Sequence, residues 1–355
     1  MRIKLVVATA DKEYLHRFEA AMQERYRGRL KLSLYTDFNA ALEKAGEVKA
    51  DILLADEDMF PEQVELPRRC IPAILVSEKG IDSINGRTAI CKYQSVQALY
   101  SDIMEVYSIQ AESSGIKTST DVASQKTIIT FYPASGGVGC STIAAAFAVS
   151  LARKGTKVLY LNLEEFGSSD LFFHGEGKGD FSKVIYALEI DNASTKMRIE
   201  SALRQDSSGV YYYSPTPSAL DMQDMNADRL ELLFEHLSES SLFEVIVVDM
   251  QFGFGTTMIQ QVSRSDTVVM VSDGSAQCNV KMKRISESLE MLARGNEALL
   301  DCRTILVYNR FSSKNGHKVE NTIFAEAGGF GRIENGSPED LVRLISENPI
   351  MSNIY

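Results

Sequence analysis

One glycine-rich stretch constrains the fold of this chain more than any other. The uncharged run from Thr127 to Tyr132 is rich in β-branched and aromatic residues, which is typical of a buried strand. The alanine-rich run from Ile143 to Ala152 is typical of a helix packed on a sheet. Between them lies Ala-Ser-Gly-Gly-Val-Gly-Cys-Ser-Thr, from Ala134 to Thr142. This order predicts a phosphate-binding loop, because glycines let backbone N–H groups approach an anion closely.

The loop departs from the usual phosphate-binding pattern. That pattern has a lysine before its Ser or Thr, and here the position is Cys140, while the pattern's first glycine is Ala134. Ser141 is placed to hold Mg²⁺ through its hydroxyl. A cysteine at a helix N-terminus can also be a redox-active thiol. We interpret Cys140 as a small neutral substitute instead, because a neighbouring triphosphate would oppose a thiolate.

Composition narrows the class of protein. A chain of 355 residues suggests two domains, and a net charge of −11 argues against bulk electrostatic binding to DNA or anionic lipid. The five cysteines are scattered without a CxxC pair, which favours a reducing compartment and offers no zinc or iron–sulfur ligand set. The uncharged stretch around the glycine loop contains a proline and three glycines, so we reject a transmembrane helix there. We therefore expect a cytoplasmic protein without a transmembrane segment or direct DNA binding.

Residues 1–107 alternate strand-like and helix-like segments, which predicts a parallel α/β domain. The order of these segments, with an acid at one strand end, resembles the receiver domains of two-component response regulators. The resemblance places Asp56 at the phosphate-accepting position, Ser77 at the hydroxyl switch and Lys92 at the lysine of the fifth strand. It implies a flavodoxin-like sheet.

The receiver-like site lacks one part. Receivers carry a pair of acids after the first strand to bind Mg²⁺, and here those positions read Ala8-Thr9-Ala10, with Asp11 arriving late. We interpret this domain as an atypical receiver used for docking rather than switching. Two alternatives stay open. Asp56 could simply end its strand and face solvent, or the protein could be a response-regulator output protein switched by phosphorylation of Asp56.

Residues 108–125 are rich in Ser and Thr and lack apolar periodicity, so we predict a linker there and a second domain over 126–355. In this second domain the strand Val245 to Asp249 ends in an acid, and the strand that precedes Glu164 runs into acids as well. Because the carboxyl ends of parallel strands share one edge of a sheet, both acids are expected near the glycine loop. Asn309 ends the last clear strand, either to bond a base edge or as a turn residue.

Residues 126–355 resemble the ParA/MinD family of deviant P-loop ATPases, through residues 135–142, 161–164, 245–249 and 307–310. The resemblance implies a doubly wound P-loop NTPase fold that binds ATP and Mg²⁺. The implied metal ligands are Ser141 and Asp249, and Glu164 would orient the attacking water. The implied nucleotide-binding residues are Ser135, Gly136, Gly137, Val138, Gly139, Cys140, Ser141, Thr142, Asn309 and Arg310.

Two family lysines are replaced in this chain. The phosphate lysine is Cys140, and the signature lysine, which in the family reaches across an ATP-sandwiched dimer, is Ser135. Transition-state charge is harder to stabilise without cations than ground-state binding, so we predict ATP binding with at most slow hydrolysis. Lys281 or Lys283 could replace the missing charge, or both could be solvated helix residues.

A receiver-like domain ahead of such an ATPase resembles the TadZ/CpaE branch of the family. The resemblance implies a homodimer that acts at the cell pole as a localisation or assembly scaffold for a tight-adherence (Flp, type IVb) pilus secretion system, with pilus proteins as partners. The alternative is an active partitioning-type ATPase that cycles between membrane or DNA and cytosol. Residues 338–350 speak against membrane cycling, because they lack a basic amphipathic stripe.

Overall fold

The computed structural model describes residues 2–61, 63–114, 126–294, 302–314 and 316–355. Over these residues the chain forms two compact units. The first comprises Met1–Val122, Glu176–Gly179 and Tyr186–Leu203, and the second comprises Ala123–Gly175, Asp180–Ile185 and Arg204–Tyr355.

The first unit is built on a six-stranded sheet. Its strands are β1 (Ile3–Ala8), β2 (Leu30–Tyr35), β3 (Ile52–Asp56), β4 (Ile71–Val76), β5 (Ser83–Ile84) and β6 (Arg87–Cys91). Its first three helices are α1 (Lys12–Arg25), α2 (Phe38–Val48) and α3 (Val96–Ser114). The strand order is β2-β1-β3-β4-β6-β5, with parallel pairing except between β5 and β6. The predicted flavodoxin-like parallel sheet is therefore confirmed.

Among the described residues, the connections around β4 contain no α-helix. A 3₁₀ turn at Glu57–Met59 follows β3, and a hairpin joins β5 to β6. Asn85 and Gly86 close that hairpin with φ angles of 51° and 75°, the left-handed conformation that a tight two-residue hairpin turn requires. The segment from Ile81 to Thr88 is too short and polar for a helix, and the structure uses it as a strand pair instead.

Helix α3 extends further than its sequence pattern indicates. We expect it to end near Val106, whereas the structure continues it to Ser114, into the predicted linker 108–125. Residues 115–125 lie outside the described residues.

A piece of the second half of the chain belongs to the first unit. Helix α5 (Phe181–Ile190) ends in this unit, and α6 (Thr195–Ser201) packs against α3. Glu200 is buried and forms an ion pair with Arg29, whose guanidinium also donates to the hydroxyl of Tyr100. The backbone carbonyl of Leu203 accepts hydrogen bonds from α3. Sequence reasoning did not anticipate this segment in the first unit.

The second unit is built on an eight-stranded sheet. Its strands are β7 (Thr127–Pro133), β8 (Val158–Asn162), β9 (Arg204–Gln205), β10 (Tyr211–Tyr212), β11 (Val245–Asp249), β12 (Thr267–Ser272), β13 (Arg303–Tyr308) and β14 (Ala325–Gly329). Its remaining helices are α4 (Cys140–Arg153), α7 (Ala227–Ser238), α8 (Thr256–Arg264), α9 (Ala276–Ala293) and α10 (Pro338–Ser346). The order is β14-β13-β12-β7-β11-β8-β10-β9, with parallel pairing except between β9 and β10.

Strand β7 lies at the centre of this sheet, between β12 and β11. Helix α4 packs on β7, β8 and β11, and its residues from Ile143 to Leu151 are buried. This confirms the strand, loop and helix predicted around the glycine stretch, and the predicted P-loop NTPase fold. Across the described part of the chain, every helix is too short or too polar to span a bilayer.

Candidate nucleotide-binding site

The glycine loop between β7 and α4 is held from behind by the end of β13. The side-chain amide of Asn309 donates to the carbonyl of Val138 at 2.8 Å, and Arg310 Nη1 donates to the carbonyl of Gly137 at 2.8 Å. In a planar trans peptide the carbonyl and the next N–H point in opposite directions. The N–H groups of Val138 and Gly139 therefore point away from β13.

Two glycines of the loop adopt backbone conformations that other residues rarely take. Gly137 and Gly139 each have a φ of 80°. A Cβ on Gly139 would lie 2.5 Å from Nδ2 of Asn309. A side chain there would therefore also displace the Asn309 amide from the Val138 carbonyl. Gly139 is the N-cap of α4 and has no side chain to accept the N–H groups of the first turn. These donors, with the positive end of the helix dipole, suit an anion.

The loop forms one wall of a cavity of about 750 Å³. Opposite walls come from the loop after β11 and from one face of α9. The lining residues are Pro133, Ala134, Ser135, Gly136, Gly137, Val138, Gly139, Cys140, Ser141, Thr142, Glu164, Gln251, Phe252, Gly253, Phe254, Lys281, Arg284, Ile285 and Ser288. A cavity of this size is within the range that holds a nucleotide-sized ligand.

Two carboxylates meet beside the hydroxyl of Ser141. Ser141 Oγ lies 3.4 Å from Glu164 Oε2. Asp249 is fully buried at the end of β11, where its Oδ2 accepts hydrogen bonds from Tyr160 at 2.8 Å and Asn162 at 3.0 Å. Its Oδ1 is buried without a partner among the described residues.

The electrostatics of this pair favour a bound cation. Burial, and then the nearby Glu164, raise the pKa of Asp249 to about 7. Burial also raises the pKa of Glu164. The described residues contain no cluster of three or more His, Cys, Asp or Glu side chains that could hold a metal ion. An unpartnered carboxylate oxygen beside a hydroxyl nevertheless fits Mg²⁺, which prefers oxygen ligands and keeps several waters. The residues present therefore fit this metal.

Sequence reasoning missed the two residues that orient Asp249. Tyr160 and Asn162 both donate to its Oδ2, and Asn162 Oδ1 also accepts the backbone N–H of Glu164 at 3.0 Å. The two residues are separated by one position on β8, so they lie on the same face of the strand. That alternation of polar groups at the carboxyl end of a buried strand was the available signal.

Asn309 and Arg310 hold the loop rather than line the cavity. Asn309 is buried with its amide on the carbonyl of Val138, and Arg310 adopts a left-handed φ of 56°. The role of Asn309 in binding a base stays a prediction. Their observed contacts fix the direction of the loop's N–H groups, so both residues shape the site without facing the cavity.

Two further positions concern charge. Cys140 is buried, and burial together with Asp249 and Glu164 raises the pKa of its thiol well above the usual value. A neutral thiol agrees with its interpretation as a small uncharged substitute. Lys281 Nζ donates to Ser135 Oγ at 2.9 Å, and Arg284 lines the same cavity.

The receiver-like site in the first unit has a different arrangement. Lys92 Nζ lies 2.5 Å from Asp56 Oδ1, and the hydroxyl of Thr9 donates to Asp56 Oδ2 at 2.5 Å. Lys92 also donates to Thr9 Oγ1 at 3.2 Å. Asp11 caps α1 by accepting the N–H of Tyr14, so its carboxylate is engaged there. The structure brings Asp56 and Lys92 together and leaves Ser77 exposed, outside this cluster.

Each of the two units contains a stretch that matches a known protein family. Residues 1–108 match a model described as TadZ-like, receiver domain, and residues 129–334 match the CobQ/CobB/MinD/ParA nucleotide binding domain. An uncharacterized ATP-binding protein of Methanocaldococcus jannaschii is 25% identical over 166 residues. That stretch is 46% of this chain and 59% of the relative, so the match spans little more than half of the relative's length.

A solved structure with a TM-score above 0.5 shows the same fold. A ParA family ATPase from Chlorobium tepidum superposes with a TM-score of 0.52 at 17% identity, covering 64% of this chain and 96% of that one. The MinC:MinD cell division protein complex of Aquifex aeolicus gives a TM-score of 0.44 at 16% identity, covering 65% and 94%. The nucleotide-binding model matches more than half of the residues. This chain therefore belongs to the CobQ/CobB/MinD/ParA nucleotide-binding family, with a TadZ-like receiver domain ahead of it.

Proposed function

We propose that this chain binds Mg·ATP in the cavity that the glycine loop lines and hydrolyses it slowly or not at all. The observation that carries the proposal is the meeting of three features at one edge of the sheet. These are the uncapped start of α4, the Ser141 hydroxyl and the unpartnered oxygen of Asp249. A polyphosphate with its metal would satisfy all three.

The residues of the site divide the work between them. The loop N–H groups and the α4 terminus bind phosphate oxygens. Ser141 and Asp249 would hold Mg²⁺, which would supply positive charge to the bound phosphates. Tyr160 and Asn162 keep the Asp249 carboxylate oriented toward Ser141. Glu164, beside Ser141, would orient a water for attack.

Slow hydrolysis follows from the charge inventory of the loop. Residues 134–142 contain no Lys or Arg. An arginine finger is worth about 10³–10⁵ in rate for related phosphoryl transfers, so a loop without cations is expected to bind better than it catalyses. The protein would then persist in an ATP-bound form, and we infer that this form is a homodimer.

The biological role we propose is a localisation or assembly scaffold for a tight-adherence pilus secretion system. The TadZ-like receiver match supports this assignment. The contacts of Asp56 support docking over switching, because Lys92 and Thr9 already occupy the carboxylate that a phosphorylated receiver would leave open to metal. Pilus proteins at the cell pole are the proposed partners.

The biochemical part is tested by measuring bound nucleotide, subunit number and turnover of the purified protein with Mg·ATP. We expect retained ATP, a dimer by native mass spectrometry, and turnover well below about 1 s⁻¹, the lower end of kinase-like rates. Ser141→Ala should weaken Mg²⁺-dependent binding, with Ser238→Ala on α7, outside the cavity lining, as the matched control. Brisk turnover, or wild-type protein that binds no ATP, would contradict the proposal.

The cellular part needs a separate experiment. A fluorescent fusion in the native host should form a polar focus, and Ser141→Ala should disperse that focus if the ATP-bound form is the localised one. An even distribution of the wild-type fusion would exclude polar localisation without bearing on ATP binding.

A further inference from the structure

Helix α9 carries cations to the mouth of the glycine loop. Lys281 Nζ donates to Ser135 Oγ at 2.9 Å, and Arg284 lines the same cavity three residues further along the helix. We propose that Lys281, assisted by Arg284, supplies from within the same chain positive charge that binds the polyphosphate in the ground state, a charge that the loop itself lacks. This inference rests on the proposed nucleotide site.

The face of α9 that meets the cavity has a regular spacing. The four α9 residues that line it are Lys281, Arg284, Ile285 and Ser288. These positions are i, i+3, i+4 and i+7, which lie along one face of an α-helix. Lys283 is two residues from Lys281, so it projects from a different face, where it is exposed. The same helix therefore provides a candidate lysine and a matched lysine outside the site.

The charges around the cavity explain why these two side chains matter. Among its lining residues, Lys281 and Arg284 are the two cations and Glu164 is the one acid. A triphosphate brings several negative charges, of which Mg²⁺ neutralises a part. The Lys281 ammonium group now donates to the Ser135 hydroxyl and could donate to phosphate oxygens instead. Charge-assisted hydrogen bonds are about twice as strong as neutral ones.

The origin of the charge has a consequence for assembly. The contact between Lys281 and Ser135 lies within one chain. Charge neutralisation at the phosphates would therefore not require a second copy of the protein. A single chain should then bind ATP with full affinity. Dimer formation would follow ATP binding, because no residue of a second copy is needed to complete the nucleotide site.

The test compares Mg·ATP affinity of the full chain by equilibrium dialysis for the wild type, Lys281→Met, Lys281→Arg and the control Lys283→Met. One lost charge-assisted hydrogen bond corresponds to a ten- to hundredfold weaker affinity. We expect that loss for Lys281→Met, substantial recovery for Lys281→Arg, and wild-type affinity for Lys283→Met. Equal affinities for the two methionine variants would overturn the inference. Matched melting temperatures of these two variants would exclude a folding defect as the cause of a difference.

A mixing experiment decides whether the lysine acts within its own chain. Gly139→Val blocks the loop but keeps Lys281, because a Cβ there collides with Asn309. Mixed with Lys281→Met, it should restore no ATP binding, whereas restored binding would show that Lys281 reaches a partner's site and would overturn the inference. If the wild type itself binds no ATP, the proposed function fails as well, and the wild-type measurement alone reports that outcome.

Discussion

Each unit of this protein places an aspartate at the carboxyl end of a central parallel strand, and the two aspartates have opposite surroundings. Asp56 ends β3, and its two oxygens are taken by the Lys92 ammonium and the Thr9 hydroxyl. Asp249 ends β11, with both of its hydrogen-bond donors on one oxygen and none on the other among the described residues. The charged group that shifts the pKa of Asp249 is another acid, Glu164.

The fold therefore determines where each aspartate lies, and the neighbouring side chains determine its chemistry. A parallel sheet gathers strand ends at one edge, which is why both acids occupy equivalent places. An internal lysine neutralises Asp56, so that site has no charge to offer a metal. Near Asp249, the side chain of Cys140 is uncharged and cannot neutralise the carboxylate as Lys92 neutralises Asp56. The pair of Asp249 and Glu164 is therefore suited to a bound metal ion.

Removing the charge of Asp249 should change stability more than any other variant considered below. In the metal-free folded protein its pKa is about 7, against a usual 3.8, so folding favours the protonated acid. Stability is therefore lost as the pH rises from about 4 to 7. Asp249→Asn removes that penalty, so it should stabilise the metal-free protein by several kcal/mol above pH 7.

Urea unfolding in EDTA at pH 8 and near pH 4 checks this expectation. The gain should be present at pH 8 and nearly absent at the lower pH. Glu165→Gln, an exposed acid next to Glu164, is the matched control and should change little at either pH. Loss of stability in Asp249→Asn at pH 8 would show that the carboxylate is already neutralised within the chain, which would remove the contrast between the two sites.

The second prediction concerns Asp56. Lys92→Met leaves a mostly buried carboxylate without its cation, and breaking a buried ion pair costs about 3 kcal/mol. The double variant Asp56→Asn, Lys92→Met should recover most of that loss, because no unpaired charge is left. Chemical denaturation measures both, with the exposed Lys12→Met as control. If the single and double variants lose equal stability, Lys92 contributes by packing and not by charge.

Much of the fold could be predicted from the sequence because its strong signals are local. The apolar strands β7 and β11, the glycine loop and helix α4 are each visible in a short window. Strand β14 could not be predicted, since its sequence Ala-Glu-Ala-Gly-Gly has no strand pattern. The seven-residue α6 is too short to indicate which unit it packs on, and tertiary contacts decide that, among them the ion pair of Glu200 with Arg29.

The candidate sites divide in the same way. Strand ends identify Asp56, Glu164 and Asp249, because an acid after an apolar run is visible in the sequence. Their partners come from distant positions: Lys92 and Thr9 are 83 residues apart, and Lys281 and Ser135 are 146 apart. No local pattern states which side chains meet, so the electrostatic character of each site required the structure.

The third prediction concerns a variant that places a lysine beside Asp249, as Lys92 lies beside Asp56. Cys140 is close enough to Asp249 and Glu164 for both acids to raise its thiol pKa. Cys140→Lys would place an ammonium beside these carboxylates, as Lys92 is beside Asp56. ATP binding in EDTA should then strengthen about tenfold, or about 1.4 kcal/mol, because the lysine supplies charge that Mg²⁺ otherwise brings. Cys140→Met is the control for size, and an equal gain in both variants would assign the effect to packing.

The smallest expected effect is at Thr9, whose hydroxyl donates to Asp56 and accepts from Lys92 while fully buried. Thr9→Val keeps the shape and removes the hydroxyl, which should cost about 1 kcal/mol, and Thr9→Ser should retain most of the stability. The free energies of unfolding of these variants and of Lys92→Met, measured by denaturation, show which partner of Asp56 contributes more to stability, Thr9 or Lys92. The ammonium should matter more, because it neutralises the carboxylate while the hydroxyl only solvates it. If Thr9→Val costs as much as Lys92→Met, the hydroxyl network and not an internal cation holds Asp56, and the two acids differ in their hydrogen bonds alone.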